Sequence, residues 1–115
     1  MSGKVYVQKF PPVWESSASM DSNGSQTSGS FWSYGYARLV GLVISSASAK
    51  AGSGLRVWQS PDGGANWDYF SDWAPSACSG SAFSIEIIGD AAMIDFRNGA
   101  TAANLFRTLW QLRPI

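Results

Sequence analysis

WQSPDGGANWDYF, Trp58 to Phe70, sets a proline, two adjacent glycines, an Asp and an Asn between two aromatic-rich runs. On its left, GLRVWQS puts Leu55 and Val57 on one side and Arg56 and Trp58 on the other. On its right, NWDYFSDW puts Trp67, Tyr69 and Trp73 on one face. Such period-two alternation is the signature of strands. Two strands joined by a run rich in Gly, Asp and Asn read as a hairpin, because these residues supply the left-handed backbone and local side-chain hydrogen bonds of tight turns. The stretch therefore reads as a turn holding two strands in register, not as a catalytic loop.

The same alternation extends outward. KVYVQKF sets Val5 and Val7 against Tyr6 and Gln8 and stops at Pro11-Pro12. The run Leu39 to Ile44 is apolar on both faces, as expected of a central strand covered on both sides, and Gly41 within it marks a bulge or a close backbone approach. Phe83, Ile85 and Ile87 oppose Ser84 and Glu86; Ala92, Ile94 and Phe96 oppose Met93, Asp95 and Arg97. In the last run Phe106, Thr108, Trp110 and Leu112 oppose Arg107, Leu109, Gln111 and Arg113. Gly89-Asp90 and Asn98-Gly99 read as turns with positive φ. Helical periodicity is confined to ATAANLF, which is too short and too rich in Thr and Asn to carry a helix.

About eight short strands separated by Gly, Ser, Asn and Pro predict an all-β protein, an antiparallel β-sandwich of jelly-roll type. An open barrel, or strands exchanged between subunits, are the competing arrangements. At 115 residues the chain is expected to be one domain. Residues 1–14 form an N-terminal arm or edge strand, and 15–115 form the sandwich. The polar run ESSASMDSNGSQTSGS, 15–30, has too few apolar residues to order itself and reads as a long loop.

Composition narrows the chemistry. Eight basic and eight acidic side chains give zero formal net charge, and the basic ones are scattered, which argues against a nucleic-acid partner. With no histidine, Ser-His-Asp and Cys-His catalysis have no base. Cys78 has no second thiol and reads as a bystander. Asp62, Asp68, Asp72, Glu86, Asp90 and Asp95 fall mostly at turns or on outward faces, unpaired, where glycoside hydrolysis needs two facing carboxylates. DGGANWD lacks the ligand spacing of a calcium loop. The expectation is a non-enzymatic protein with no cofactor and no metal. The first residues lack a signal-peptide core and no run is long enough to span a membrane, so a cytoplasmic product with no membrane partner is expected.

Aromatics are abundant: six Trp, four Tyr and six Phe. Trp67, Phe83, Phe96, Phe106 and Trp110 are expected in the core. Val5, Tyr6, Val7, Phe10, Trp14, Trp32, Trp58 and Trp73 are the candidates for an interface, since large rigid side chains bury much area at low entropy cost.

Two resemblances follow from these residues. Ser60-x-Asp62-x-Gly64-x-x-Trp67 resembles the Asp box of sialidases and other propeller proteins. That resemblance implies a folded hairpin turn with Trp67 packed beneath it and implies no sialidase activity, because a single copy cannot build a propeller. More widely, YARLVGLVISS, GLRVWQSPDGGANWDY, FSIEIIGD and FRNGATAANLFR…LRPI look like small β-sandwich structural proteins of tailed-bacteriophage virions, including capsid cement (decoration) proteins. This implies a virion component on the capsid surface, a homo-oligomer with a trimer favoured, that clamps the major capsid protein. A carbohydrate- or receptor-binding module of a phage tail or fibre is the alternative, and exposed Trp beside Asp or Asn would support it.

Overall fold

The computed structural model describes residues 12–78 and 80–114. Eight strands run in chain order: β1 (Pro12–Met20), β2 (Ser25–Trp32), β3 (Arg38–Ser45), β4 (Leu55–Ser60), β5 (Tyr69–Trp73), β6 (Ser81–Glu86), β7 (Ala91–Arg97) and β8 (Ala103–Arg113). No helix occurs among the described residues, and ATAANLF opens β8.

One sheet has the order β1-β8-β3-β6 and the other β2-β7-β4-β5. Strands β1 and β8, β2 and β7, β3 and β6, and β4 and β5 pair antiparallel. The chain is thus one long hairpin, doubled at the β4–β5 turn and rolled into two facing sheets, which is a jelly roll. The expected fold class holds, and SPDGGANW lies at the tip of the roll.

The core forms where the alternation predicts it. Leu55 and Val57 of β4, Ile94 and Phe96 of β7, and Phe106, Trp110 and Leu112 of β8 are buried between the sheets. Gly41 is the close approach expected of it. On the inner face Gly41 sits between its pairing partners Trp110 and Phe83. Their rings stack at 5.8 Å and 16°. A Cβ on Gly41 would lie 2.1 Å from the Trp110 indole, so the missing side chain is the space the ring occupies. The buried Trp110 Nε1 donates to Thr108 Oγ1, which donates to the Leu42 carbonyl.

The structure corrects three expectations. Residues 15–30 are not a loop but most of β1 and β2, joined by a tight turn. Their serines are compatible with strands because each strand lies at a sheet edge, where long-range pairing to β8 and β7 supplies the order. Across the gap between the sheets, Ser16 Oγ donates to Gln26 Oε1 at 2.7 Å. Gly89 and Gly99 do not have positive φ; they are required because a Cβ would strike the Ser60 and Ser48 carbonyls at 2.6 and 2.7 Å. Finally, β3 is central in its sheet but not covered on both sides: Leu42 is 58% exposed on the outer face.

Candidate binding surfaces

The tip of the roll is closed by its own side chains. Ser60 Oγ donates to Asp62 Oδ1 and accepts from the Gly64 amide at 2.8 Å. Asp62 Oδ1 accepts from the Asn66 amide at 2.8 Å, and Oδ2 from Asn66 Nδ2 at 2.6 Å. These bonds, the Asn66 side chain first and the Ser60 hydroxyl next, hold the Asp62 carboxyl at about 2, below its ordinary 3.8. Gly63 and Gly64 take φ of 73° and 103°. The Trp67 ring lies beside Gly64 but is half-buried, outside the core in which it was expected. Ser60, Asp62 and Gly64 act structurally here, as a turn.

Next to that tip the outer face of the β2-β7-β4-β5 sheet carries an aromatic and ionic cluster. Trp58 pairs with Phe70 across β4 and β5, their rings 4.8 Å apart. Arg56 lies between Asp72 and Asp95 on the two neighbouring strands. It donates to both Asp72 oxygens, at 2.6 and 3.0 Å, and its guanidinium sits 4.1 Å from the Phe70 ring and 5.0 Å from Trp58. Those hydrogen bonds to Asp72 raise the Arg56 pKa further. Trp58 Nε1 donates to Asp95 Oδ2 at 3.0 Å. The members of this cluster satisfy one another, so Trp58 is held by its neighbours.

Three turns meet at the same end of the sandwich. The Ser33 and Tyr34 amides donate to the Asp90 carbonyl, the Asp90 amide to the Ser60 carbonyl, and Ser33 Oγ to the Gly89 carbonyl. Buried Gln59 adds a staple: its Nε2 donates to the Glu86 carbonyl and its Oε1 accepts from the Ile88 and Gly89 amides. From this knot Trp32 and Tyr34 project, 69% and 76% exposed. The far edge of the Trp32 indole reaches the β4–β5 turn, where a Cβ on Gly63 would meet Cη2 at 3.1 Å.

The outer face of the β1-β8-β3-β6 sheet is different. Leu42 and Leu109 are direct cross-strand neighbours; Val40 and Ile44 flank Leu42 along β3, Arg107 and Gln111 flank Leu109 along β8, and Leu105 lies near the start of β8. Glu15 pairs with Leu109 from the β1 edge, and Arg107 pairs with Ile44. A shallow open groove of about 390 Å³ runs over Glu15, Leu42, Ile44, Arg107 and Leu109. Large aliphatic side chains facing water in this way are the common mark of a surface that meets another protein.

The interface candidates therefore divide. Trp32 projects into solvent with the far edge of its ring against Gly63. Trp58 lies on an outer face within the ionic cluster. Trp14 and Trp73 turn inward instead: Trp14 sits 6.4 Å from Phe106, and Trp73 sits 5.2 Å from Phe83, because each occupies the inner register of its strand. Val5, Tyr6, Val7 and Phe10, and all of the arm before Pro12, lie outside the described residues. Sequence reasoning missed Leu42, Leu109 and Tyr34. The signal for Leu42 was present in the doubly apolar run 39–44, whose outer side no second layer covers among the described residues, and that for Leu109 in its place opposite the inward residues of the last run. Among the described residues, no group of three or more Cys, Asp or Glu converges as a metal site would require. Comparison with protein-family models, curated proteins and solved structures returned no match.

Proposed function

We propose that this chain is a non-enzymatic structural protein of a tailed-phage virion, a cement protein that binds the major capsid protein and stabilises the shell. The observation that carries this reading is the outer face built on Leu42 and Leu109. Covering a leucine fully is worth about 1.5–3 kcal/mol, and a face of several such residues supplies a broad, chemically inert contact suited to clamping neighbours. The low charge of the chain supports the same reading, as does the resemblance of runs such as YARLVGLVISS and FSIEIIGD to those of virion β-sandwich proteins. Assembly into a homotrimer would multiply each contact.

The test is co-sedimentation with expanded shells of the major capsid protein encoded in the same genome, together with the native mass of the free protein. The wild-type chain is expected to pellet with shells, and the double variant Leu42→Gln, Leu109→Gln to bind at least about tenfold more weakly. A monomer that stays in the supernatant overturns the proposal.

Binding of carbohydrate is a second reading, favoured by the exposure of Trp32 beside the Asp62 turn. It uses the opposite sheet, so the two readings are separable.

A further inference from the structure

Resting on that second reading, we propose that Trp32, Tyr34 and the Asp62–Gly63 turn form one binding site, and that its ligand is an uncharged pyranoside. Trp32 is the most exposed Trp with a defined seat. Its backbone is paired to Ala91, and the far edge of its indole is lodged against Gly63. A side chain at 63 would have to displace it, and the φ of 73° also disfavours one. The ring is thus placed without being covered, which lowers the entropy cost of stacking a ligand on it.

Tyr34 stands two residues on, its amide fixed to Asp90 and thereby to Ser60 at the base of the same turn. Aromatic surface alone would suit many partners. Asp62 distinguishes among them. Its carboxylate is solvent-exposed, ionised and tied into the turn. A protein face laid over Trp32 would have to dehydrate this charge, which is expensive without a partner. A sugar offers apolar ring C–H groups to the indole and hydroxyl donors to the carboxylate, and leaves the outer side of the carboxylate hydrated. Sites of this kind, an aromatic wall with a few placed polar groups, orient small ligands.

Charge then selects the class. The segments around the site, 30–37, 61–69 and 87–90, contain Asp62, Asp68 and Asp90 and no Lys or Arg, and the next residue on, Arg38, is turned to the other sheet, where it donates to Ser84. A sialylated, sulfated or phosphorylated glycan would meet like charge with no cation to receive it. Uncharged hexoses and N-acetylhexosamines fit.

The experiment is titration of the whole chain with chitotetraose, cellotetraose, maltotetraose and a neutral-glycan array, with 3′-sialyllactose as the charged comparison. Indole N–H resonances and Trp fluorescence report binding. At least one neutral oligosaccharide should bind with Kd on the order of 1 mM or tighter and shift the Trp32 indole signal. Trp32→Ala and Tyr34→Ala should each weaken it about tenfold, and Trp32→Tyr should restore most of the affinity. Both residues are exposed, so thermal melts of the variants should match wild type. If no neutral glycan binds, the site and the carbohydrate reading both fall. If glycans bind but both alanine variants bind equally well, the site is wrong and the carbohydrate reading stands. Sialyllactose binding as tightly as the neutral ligands overturns the assignment of ligand class.

Discussion

At the scale of single residues, Gly41 and Asp62 show how much one position can decide. A methyl at Gly41 would enter the indole of Trp110, a fully buried ring pinned by Thr108 on one side and Phe83 on another. Gly41→Ala is therefore expected to cost about 3 kcal/mol and lower the Tm by roughly 10 °C. A melting curve checks this, and an unchanged Tm would show that Trp110 can move aside. Asp62 makes a pH-dependent contribution. Its carboxyl is held below its unfolded value because the hydrogen bonds from Asn66 and Ser60 favour the charged form. The contribution to turn stability is complete above 3.8 and fades as the pH falls from 3.8 through about 2. The Asn66 amide resonance should titrate with a midpoint near 2 and not near 4. Both residues were legible in the sequence, Gly41 as an interruption in an apolar run and Asp62 as a turn former, although the ring that fills the space at Gly41 comes from distant Trp110.

Elements were legible where one side of a strand is apolar and the other polar. Strands β4, β6, β7 and β8 obey this, and their inner residues were named correctly. The exceptions are β1 and β2, whose serines carry no alternation. In β2 a bulge at Gly29, with φ of 68°, breaks the ladder to β7. There Thr27 Oγ1 donates to the Ile94 carbonyl and Ser28 Oγ accepts from the Ile94 amide, so hydroxyls replace backbone pairing. A polar, bulged edge is also a poor template for unwanted strand addition. Nothing within the segment 15–30 announces this, since its order comes from residues that follow much later in the chain. The exposed aliphatic face of β3 and β8 was half legible. Its apolar residues were evident, but whether a second layer covers them depends on topology. Because Leu42 and Leu109 touch water in the free protein, Leu42→Gln with Leu109→Gln, which adds no charge beside Glu15, should leave the Tm within about 2 °C of wild type. A large drop would mean that the face contributes to folding and is no free surface.

For the whole molecule, the jelly roll was legible from strand count and turn chemistry, whereas the pairing order was not, since alternation assigns faces but not neighbours. The candidate site was the least legible feature. Three turns bring the Trp32 indole against Gly63 and fix the Tyr34 amide to Asp90, and only the finished roll, 49 × 42 × 17 Å, puts these segments at one end.

The rolled hairpin also sets an order of events in time. Strands β4 and β5 are joined by a short turn, whereas β1 must find β8 with almost the whole chain between them, and loop closure grows dearer with separation. Folding should therefore zip outward from the Asp62 turn, the edge strand β1 docking last. Gly64→Ala is expected to slow refolding, whereas Met20→Ala at the end of β1 should chiefly speed unfolding. Stopped-flow chevrons for the two variants would read this directly, and the reverse pattern would exclude it. If the order holds, a half-dozen residues at the middle of the sequence act as the pacemaker of folding, while the polar strand that closes the roll governs how long the native state persists.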